Sequence, residues 1–290
     1  MKYFDMHCDT LYRCTLDSEK FYGNNYHISF DRTDCFNRYV QFMAIWIPDK
    51  LIGYDRTRMF IDACKVYNKE KVNNKNITTF LTVENASMLN GKLSNIYLLK
   101  ENDVKAITLT WNEDNELGSG AYSSSKFGLT DFGKTVIDEL NKNDIKIDVS
   151  HASDRLFYEI VEYTDKPIFA SHSNSRKITD NIRNLTDEMF NIIKDRNGVV
   201  GINLYRGFLN NNEYNANIDD ILRHVYHFLE LGGENSISFG ADFDGADMPN
   251  DIKGIQDIPK IYERFNKTFG EKITNKIFFD NGKKFFKFFD

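Results

Sequence analysis

The sequence predicts an α/β chain folded as a single (β/α)8 barrel over residues 1–290, on three observations. Eight short apolar runs recur along it: 3–6, 39–47, 79–83, 104–110, 145–149, 167–170, 199–204 and 236–241. Segments of helical period lie between many of them, and residues suited to catalysis or metal binding stand at or just past the run ends. Strand–helix alternation with β-branched strands calls for a parallel sheet buried on both faces, and eight units favour closure over an open sheet. The C-terminal strand ends of such a barrel form one rim, where side chains distant in sequence share a pocket.

The first run leads into His7 and Asp9. Residues two apart on an extended chain point the same way, so both can face one ion; the alternative is a histidine paired with a neighbouring carboxylate. Residues 17–38 are poorly patterned and have no assigned place, and His27 within them has no role. The second run, 39–47, ends in no residue given a role. The third ends on Glu84, in FLTVE. A carboxylate at the end of an apolar strand is costly to desolvate unless a metal or a salt bridge neutralises it.

The fourth run leads to Trp111 and then to the small-residue stretch 118–127 (GSGAYSSSKF), expected to be a rim loop that moves over a ligand. A helix is predicted over 131–143, with Phe132, Val136, Ile137 and Leu140 on one face and Thr130 as N-cap. The fifth run, IDVSH, ends at His151, and Ser153 caps a helix over 154–163. The sixth, FASHS, ends at His172. Histidines at equivalent positions of adjacent strands can share an ion, and neutral imidazole suits zinc.

Arg183 follows on the same rim. Its guanidinium fork fits a substrate carboxylate or a structural salt bridge equally well. A helix over 186–195 precedes the seventh run, which ends near Tyr205. The helix over 218–231 carries His224 and His227, which point away from the rim. The eighth run, ISFGADFDG, ends at Asp242, with Asp244 and Gly245 as a turn. A carboxylate at Asp242 can take a proton from an activated water and pass one to a leaving amine. Five or six N/O ligands exceed one tetrahedral zinc, whereas two ions bridged by a carboxylate would use them all.

Bulk properties narrow the function classes. The 290 residues are 41% hydrophobic and 28% charged, an ordinary globular composition. A net charge of −6 argues against a nucleic-acid partner, which needs a surplus of Lys and Arg. Lys283, Lys284 and Lys287 alternate with phenylalanines and read as a solvated helix face with an apolar back. The four cysteines (Cys8, Cys14, Cys35, Cys64) form no CxxC pair. No run approaches a membrane span, and the first strand leaves no room for a signal peptide. The expectation is a cytoplasmic protein with reduced thiols and no membrane partner.

The motifs HCDTL, VEN, LTWN with GLTDFGKTVIDELNK, IDVSHASD, PIFASHSNSRKITDNIRNLTDEM, GVVGINLY and GADFDG occur in this order. Together they resemble the membrane dipeptidase (renal dipeptidase) family, peptidase family M19, from about residue 3 to the C-terminal NGKKFF. The resemblance implies a TIM-barrel-like metallohydrolase with two Zn2+ per chain, in which a hydroxide bridging the metals attacks the peptide bond of a dipeptide, often one with a C-terminal D-residue. By motif, His7 and Asp9 match ligands of one zinc, His151 and His172 ligands of the other, and Glu84 the bridging carboxylate. Asp242 matches the catalytic aspartate, Arg183 the arginine that holds a substrate carboxylate, and Tyr205 a tyrosine lining the pocket. Where the animal enzymes have a histidine in LTHN this chain has Trp111, whose indole N–H donates one hydrogen bond but carries no charge. The secreted members' signal peptide and lipid anchor are not carried over. A dipeptide is the expected partner, and a homodimer is the one assembly considered. The competing readings are another amidohydrolase-like activity (lactonase or deaminase), favoured if Arg183 turned away from the metals, and a metal- or peptide-binding barrel without turnover.

Overall fold

The computed structural model describes residues 1–70, 72, 74–125 and 127–288. Its strands are those whose residues bury on both faces. They are β1 (Lys2–Cys8), β2 (Arg38–Trp46), β3 (Ile77–Glu84), β4 (Ala106–Thr108), β5 (Lys146–Asp148), β6 (Val200–Ile202) and β7 (Ile237–Phe239). All pair in parallel, in the order β5-β4-β3-β2-β1-β7-β6. The fold is therefore α/β with a parallel sheet, as the apolar runs imply.

The sixth run departs from expectation. Residues 167–170 form isolated parallel bridges, Asp148 to Phe169 and Ala170 to Val200, rather than a strand. Pro167 has no N–H to offer a ladder, and side chains supply part of the pairing. The Asp148 carboxylate accepts the Ser171 N–H at 2.9 Å, while Val149 N donates to Phe169 O at 2.8 Å and Ala170 N to Val199 O at 3.0 Å. Backbone bonds thus run from β5 through 169–170 to β6, the two ends of the sheet order. The approach is close: a Cβ on Gly240 would overlap Ser171 O.

Helices follow the strands, with Thr130 and Ser153 capping as predicted. They are α1 (Thr10–Asp17), α2 (Tyr54–Glu70), α3 (Ile96–Glu101), α4 (Asp131–Lys142), α5 (Asp154–Tyr163), α6 (Asp187–Asp195), α7 (Arg206–Leu209), α8 (Ile218–Glu230), α9 (Ile258–Phe269), α10 (Glu271–Asn275) and α11 (Asn281–Phe286). Thr130, Ser153 and Thr186 each accept an N–H three residues on (2.9, 3.1 and 3.2 Å), satisfying donors the helix leaves open. Val136, Ile137 and Leu140 of α4 face the core.

A π-helical stretch, Lys276–Asp280, leads into α11. Phe286 and Phe288 then seat against Phe42 (4.5 Å between centroids) and Phe80 (4.0 Å) at the end of the strands remote from the site. This is the apolar back predicted for the lysine-bearing C-terminus. Among the described residues no helix is long and apolar enough to cross a membrane. The four cysteines are free, and three are buried.

Two further expectations are corrected. The stretch 118–127, of which Lys126 lies outside the described residues, is stitched down rather than free over the rim. Ala121 N bonds His151 O at 2.8 Å, Ser153 N bonds Ser119 O at 3.0 Å, and Ser119 and Ser153 hydroxyls meet at 3.0 Å. The segment 17–38 has a definite place. It holds a 3-10 turn (Phe30–Arg32) and is fastened to the β7 end through Asp244, whose carboxylate accepts from His27 N (2.6 Å) and Ile28 N (3.3 Å).

Candidate active site

The residues singled out at the strand ends converge. His7 lies inside β1 rather than past its end, Glu84 is the last residue of β3, Asp9, His151 and Asp242 follow their strands, and His172 follows the 169–170 bridges. His151 and Asp242 adopt left-handed backbone (φ 67° and 62°), which turns the chain sharply at the rim and costs a non-glycine residue energy. Gly245 is required by contact, since a Cβ there would strike the carboxylates of Asp9 and Asp242.

Glu84 stands between two groups. Its Oε1 lies 2.8 Å from His151 Nε2 and 3.6 Å from His172 Nε2, and its Oε2 lies 3.9 Å from His7 Nε2. His7 Nε2 is also 3.3 Å from Asp9 Oδ2 and 3.7 Å from Asp242 Oδ1. Donor atoms of His7, Glu84 and His172, and of His7, Asp9 and Asp242, lie close enough to hold metal ions.

The protonation pattern suits cations. His151 Nδ1 is 2.9 Å from Asn112 Oδ1, so with the amide oxygen as acceptor Nδ1 carries the proton and Nε2 presents a lone pair. That Nε2 sits 2.9 Å from His172 Nε2, whose ring is held at Nδ1 by the Ser171 hydroxyl at 2.6 Å. Burial, with the charges of Arg183 and His7 nearby, pushes both imidazoles well below their ordinary range. Burial also opposes charge on His7, but Glu84, Asp9 and Asp242 override it and lift His7 to about 10. Burial and the Asp9 charge raise Asp242 to about 7 and Glu84 well above a normal carboxylate. Buried His7 Nε2 and Asp9 Oδ1 have no hydrogen-bond partner among the described residues. Orphaned lone pairs, crowded carboxylates and an N/O donor set fit divalent cations such as zinc.

Asp9, Glu84, His151 and Asp242 open into a cavity of about 850 Å³ that Trp111, Arg183 and Tyr205 also line. Arg183 is 4% exposed and its Nε and Nη2 have no partner, so the structural salt bridge considered for it is absent among the described residues. Its guanidinium lies 5.4 Å from the Phe208 ring, which Tyr205 meets edge-on at 4.7 Å. His224 and His227 are directed elsewhere, the first accepting Ser175 N at 3.1 Å and the second 2.7 Å from Asp187.

Several residues of the site were not anticipated. Asn203 donates to Asp242 Oδ2 at 3.0 Å, and Asn112 orients His151. Asp5 Oδ1 accepts the N–H groups of His7 (3.1 Å) and Ala241 (2.9 Å), while Asp148 Oδ1 accepts those of Ser150 and Ser171 (both 2.9 Å). The signal was an acidic residue inside an apolar strand shortly before a histidine, in both DMH and DVSH. His27 also lines the cavity, with Asn25 and Tyr26 from the same segment.

Comparison with known proteins places the chain in a family. The model of the membrane dipeptidase family (peptidase family M19) matches residues 51–287. An uncharacterised dipeptidase of Schizosaccharomyces pombe is 30% identical over 246 residues, 77% of this chain and 58% of that protein. Dipeptidase 3 of Mus musculus is 26% identical over 245 residues, covering 77% and 50%. The chain thus spans little more than half the length of these two relatives. In fold it is similar to a metallopeptidase from Rhodobacter sphaeroides, crystallised with a phosphinate mimic of the dipeptide L-Ala-D-Ala (TM-score 0.90, 20% identity, 99% of both chains). The chain belongs to the membrane dipeptidase family, peptidase family M19.

Proposed function

We propose that this family member is a metal-dependent dipeptidase, built as one domain over residues 1–290 in which the 169–170 bridges act as the sixth strand of a closed (β/α)8 barrel. His7 and Asp9 would hold one zinc, His151 and His172 a second, and Glu84 both. Two cations there supply stabilisation of charge on the scissile carbonyl and activation of the attacking water. Asp242, oriented through Asn203, takes the proton of that water and returns it to the departing amine. Trp111 and Tyr205 line the space around the substrate, which accepts a D-residue at its carboxy-terminal position. Four free thiols suit a reducing compartment, and we place the protein in the cytoplasm on that ground.

One observation carries the dipeptide reading: a buried guanidinium with two unpartnered N–H donors opens into the same cavity as the carboxylate–imidazole cluster. Such a group waits for an anion, and the free carboxylate of a short peptide supplies one. An anchor in the same cavity as the cluster favours short substrates, of which a dipeptide is the shortest peptide. It also meets the condition that separated dipeptides from lactones or bases, since Arg183 faces the cluster.

The test is Arg183→Met assayed on a dipeptide and on its amide. Loss of the charge-assisted pair, about 1.5–3 kcal/mol, lowers kcat/KM for the dipeptide roughly 10- to 100-fold. The amide is already poor with the parent and loses little more. Equal parent activity on dipeptide and amide would remove the anchor and the dipeptide reading with it.

A further inference from the structure

The cavity has a second pole that the cluster and Arg183 do not use. Tyr12, Trp46 and Trp111 all line it. Tyr12 meets Trp46 edge-on at 4.8 Å between centroids, Trp46 and Trp111 lie 4.8 Å apart, and Trp111 is 6.0 Å from the His151 ring. All three are only partly buried, so they present ring surface to the cavity.

Topology places this wall opposite the cation. Trp46 sits on the same rung as Glu84, which is paired in turn with Thr108 on β4, three residues before Trp111. The aromatic residues therefore flank Glu84 on both sides, at the middle of the sheet order. Arg183 follows the 169–170 segment, which joins the two ends of that order. A chain segment whose carboxylate is held at Arg183 and whose scissile bond lies at Glu84 has its amino-terminal residue against the rings.

We infer that Tyr12, Trp46 and Trp111 form an aromatic subsite for the side chain of the substrate's amino-terminal residue, selecting large apolar and above all aromatic side chains. This rests on the dipeptide reading above. The physical basis is burial of apolar area plus ring–ring contact, both absent for glycine or alanine. About 850 Å³ leaves room for such a side chain.

The experiment compares kcat/KM for Phe-Ala, Ala-Ala and Ala-Phe. The parent prefers Phe-Ala over Ala-Ala by roughly 10- to 100-fold. In Trp111→Ala and Trp46→Ala that ratio falls to within about 3-fold, and in Trp46→Phe it survives. Because the ratio is taken within each variant, general damage cancels. A parent ratio near one, ratios unchanged in both alanine variants, or a preference carried by Ala-Phe instead would each overturn the subsite.

A second readout needs no turnover. The chain has two tryptophans, and both are in the wall, so intrinsic emission reports this subsite. Uncleavable phosphinate dipeptide mimics with Phe or Ala at the amino-terminal position are titrated into the metal-loaded protein. The Phe mimic is expected to change emission at a concentration about 10-fold lower or less. If no dipeptide is hydrolysed but this preference holds, the dipeptidase reading falls and the subsite stands. Hydrolysis with no emission preference has the opposite meaning.

Discussion

The two halves of the site share one backbone device and differ in charge. On the β1–β7 side Asp5 seats the N–H groups of His7 and Ala241, which fixes His7 and Asp242. On the β5 side Asp148 seats those of Ser150 and Ser171, one residue before His151 and His172. The first half gathers Glu84, Asp9 and Asp242 around one imidazole, lifting it to about 10, whereas the second sets two imidazoles face to face and burial keeps both neutral. A single histidine type thus takes opposite protonation states a few ångströms apart, because local carboxylate density decides whether burial or attraction wins. Metal-free, the acidic half can use a proton in place of a cation, while the imidazole half sets two neutral rings 2.9 Å apart at their Nε2 atoms.

The largest expected effect strikes the residue common to both halves. Glu84→Gln should cost metal in both, measured as ions per chain, with kcat down on the order of 10³-fold for several kcal/mol of lost charge stabilisation. Loss of one ion alone, with the other fully retained, would mean the halves are independent. Asp242→Asn acts within the acidic half on proton transfer, so kcat should fall roughly 10²-fold while metal content drops less than in His172→Ala. Near-parent hydrolysis would show that Asp242 only completes the cluster.

Asp5→Asn and Asp148→Asn sharpen the contrast further. Each replaces a charged acceptor of two buried N–H groups by a neutral one, and each should weaken zinc binding in its own half by roughly 10-fold. A zinc titration resolving two affinities should show one affected step per variant; an equal loss at both steps would point to general loosening of the barrel.

A separate effect is in pH dependence without metal. His7 has a folded-state pKa above its free value, so its stabilisation is complete below about 6.5 and lost as pH rises through about 10. Asp242, raised to about 7, adds in the same direction, since ionising it in the fold is unfavourable. The Tm of chelator-treated protein should therefore fall across this range. With zinc present the slope should reverse below neutrality, because cations bind the deprotonated ligands. Parallel profiles with and without zinc would argue that His7 and Asp242 do not face a metal.

Much of this site was legible without coordinates. An apolar run ending in Glu84, His151, His172 or Asp242 places its polar residue at a strand end by period alone, and Thr130 and Ser153 cap their helices through contacts three residues long. The same local logic failed where pairing was distant. The sixth run keeps its place between β5 and β6 although its ladder is partly side-chain bonds from Asp148. The loop 118–127 read as mobile because its glycines and serines were visible and its partners at 151–153 were not.

Local pattern set which residue types reach the rim and in what order, because alternation, capping and burial act over a few residues. It also marked Arg183 as a cation near that rim, with a carboxylate and a salt bridge equally open to it. Packing left Arg183 Nε and Nη2 without a hydrogen-bond partner among the described residues, turned the His151 lone pair toward Glu84 through Asn112, and tied residues 17–38 to the cavity through His27 and Asp244 across 217 positions. Trp46 and Tyr12 joined Trp111 in the same way. Those outcomes depend on which distant groups the packed sheet brings within 3–5 Å, and on the burial that makes each unpaired donor or charge costly, neither of which has a local signature in the chain.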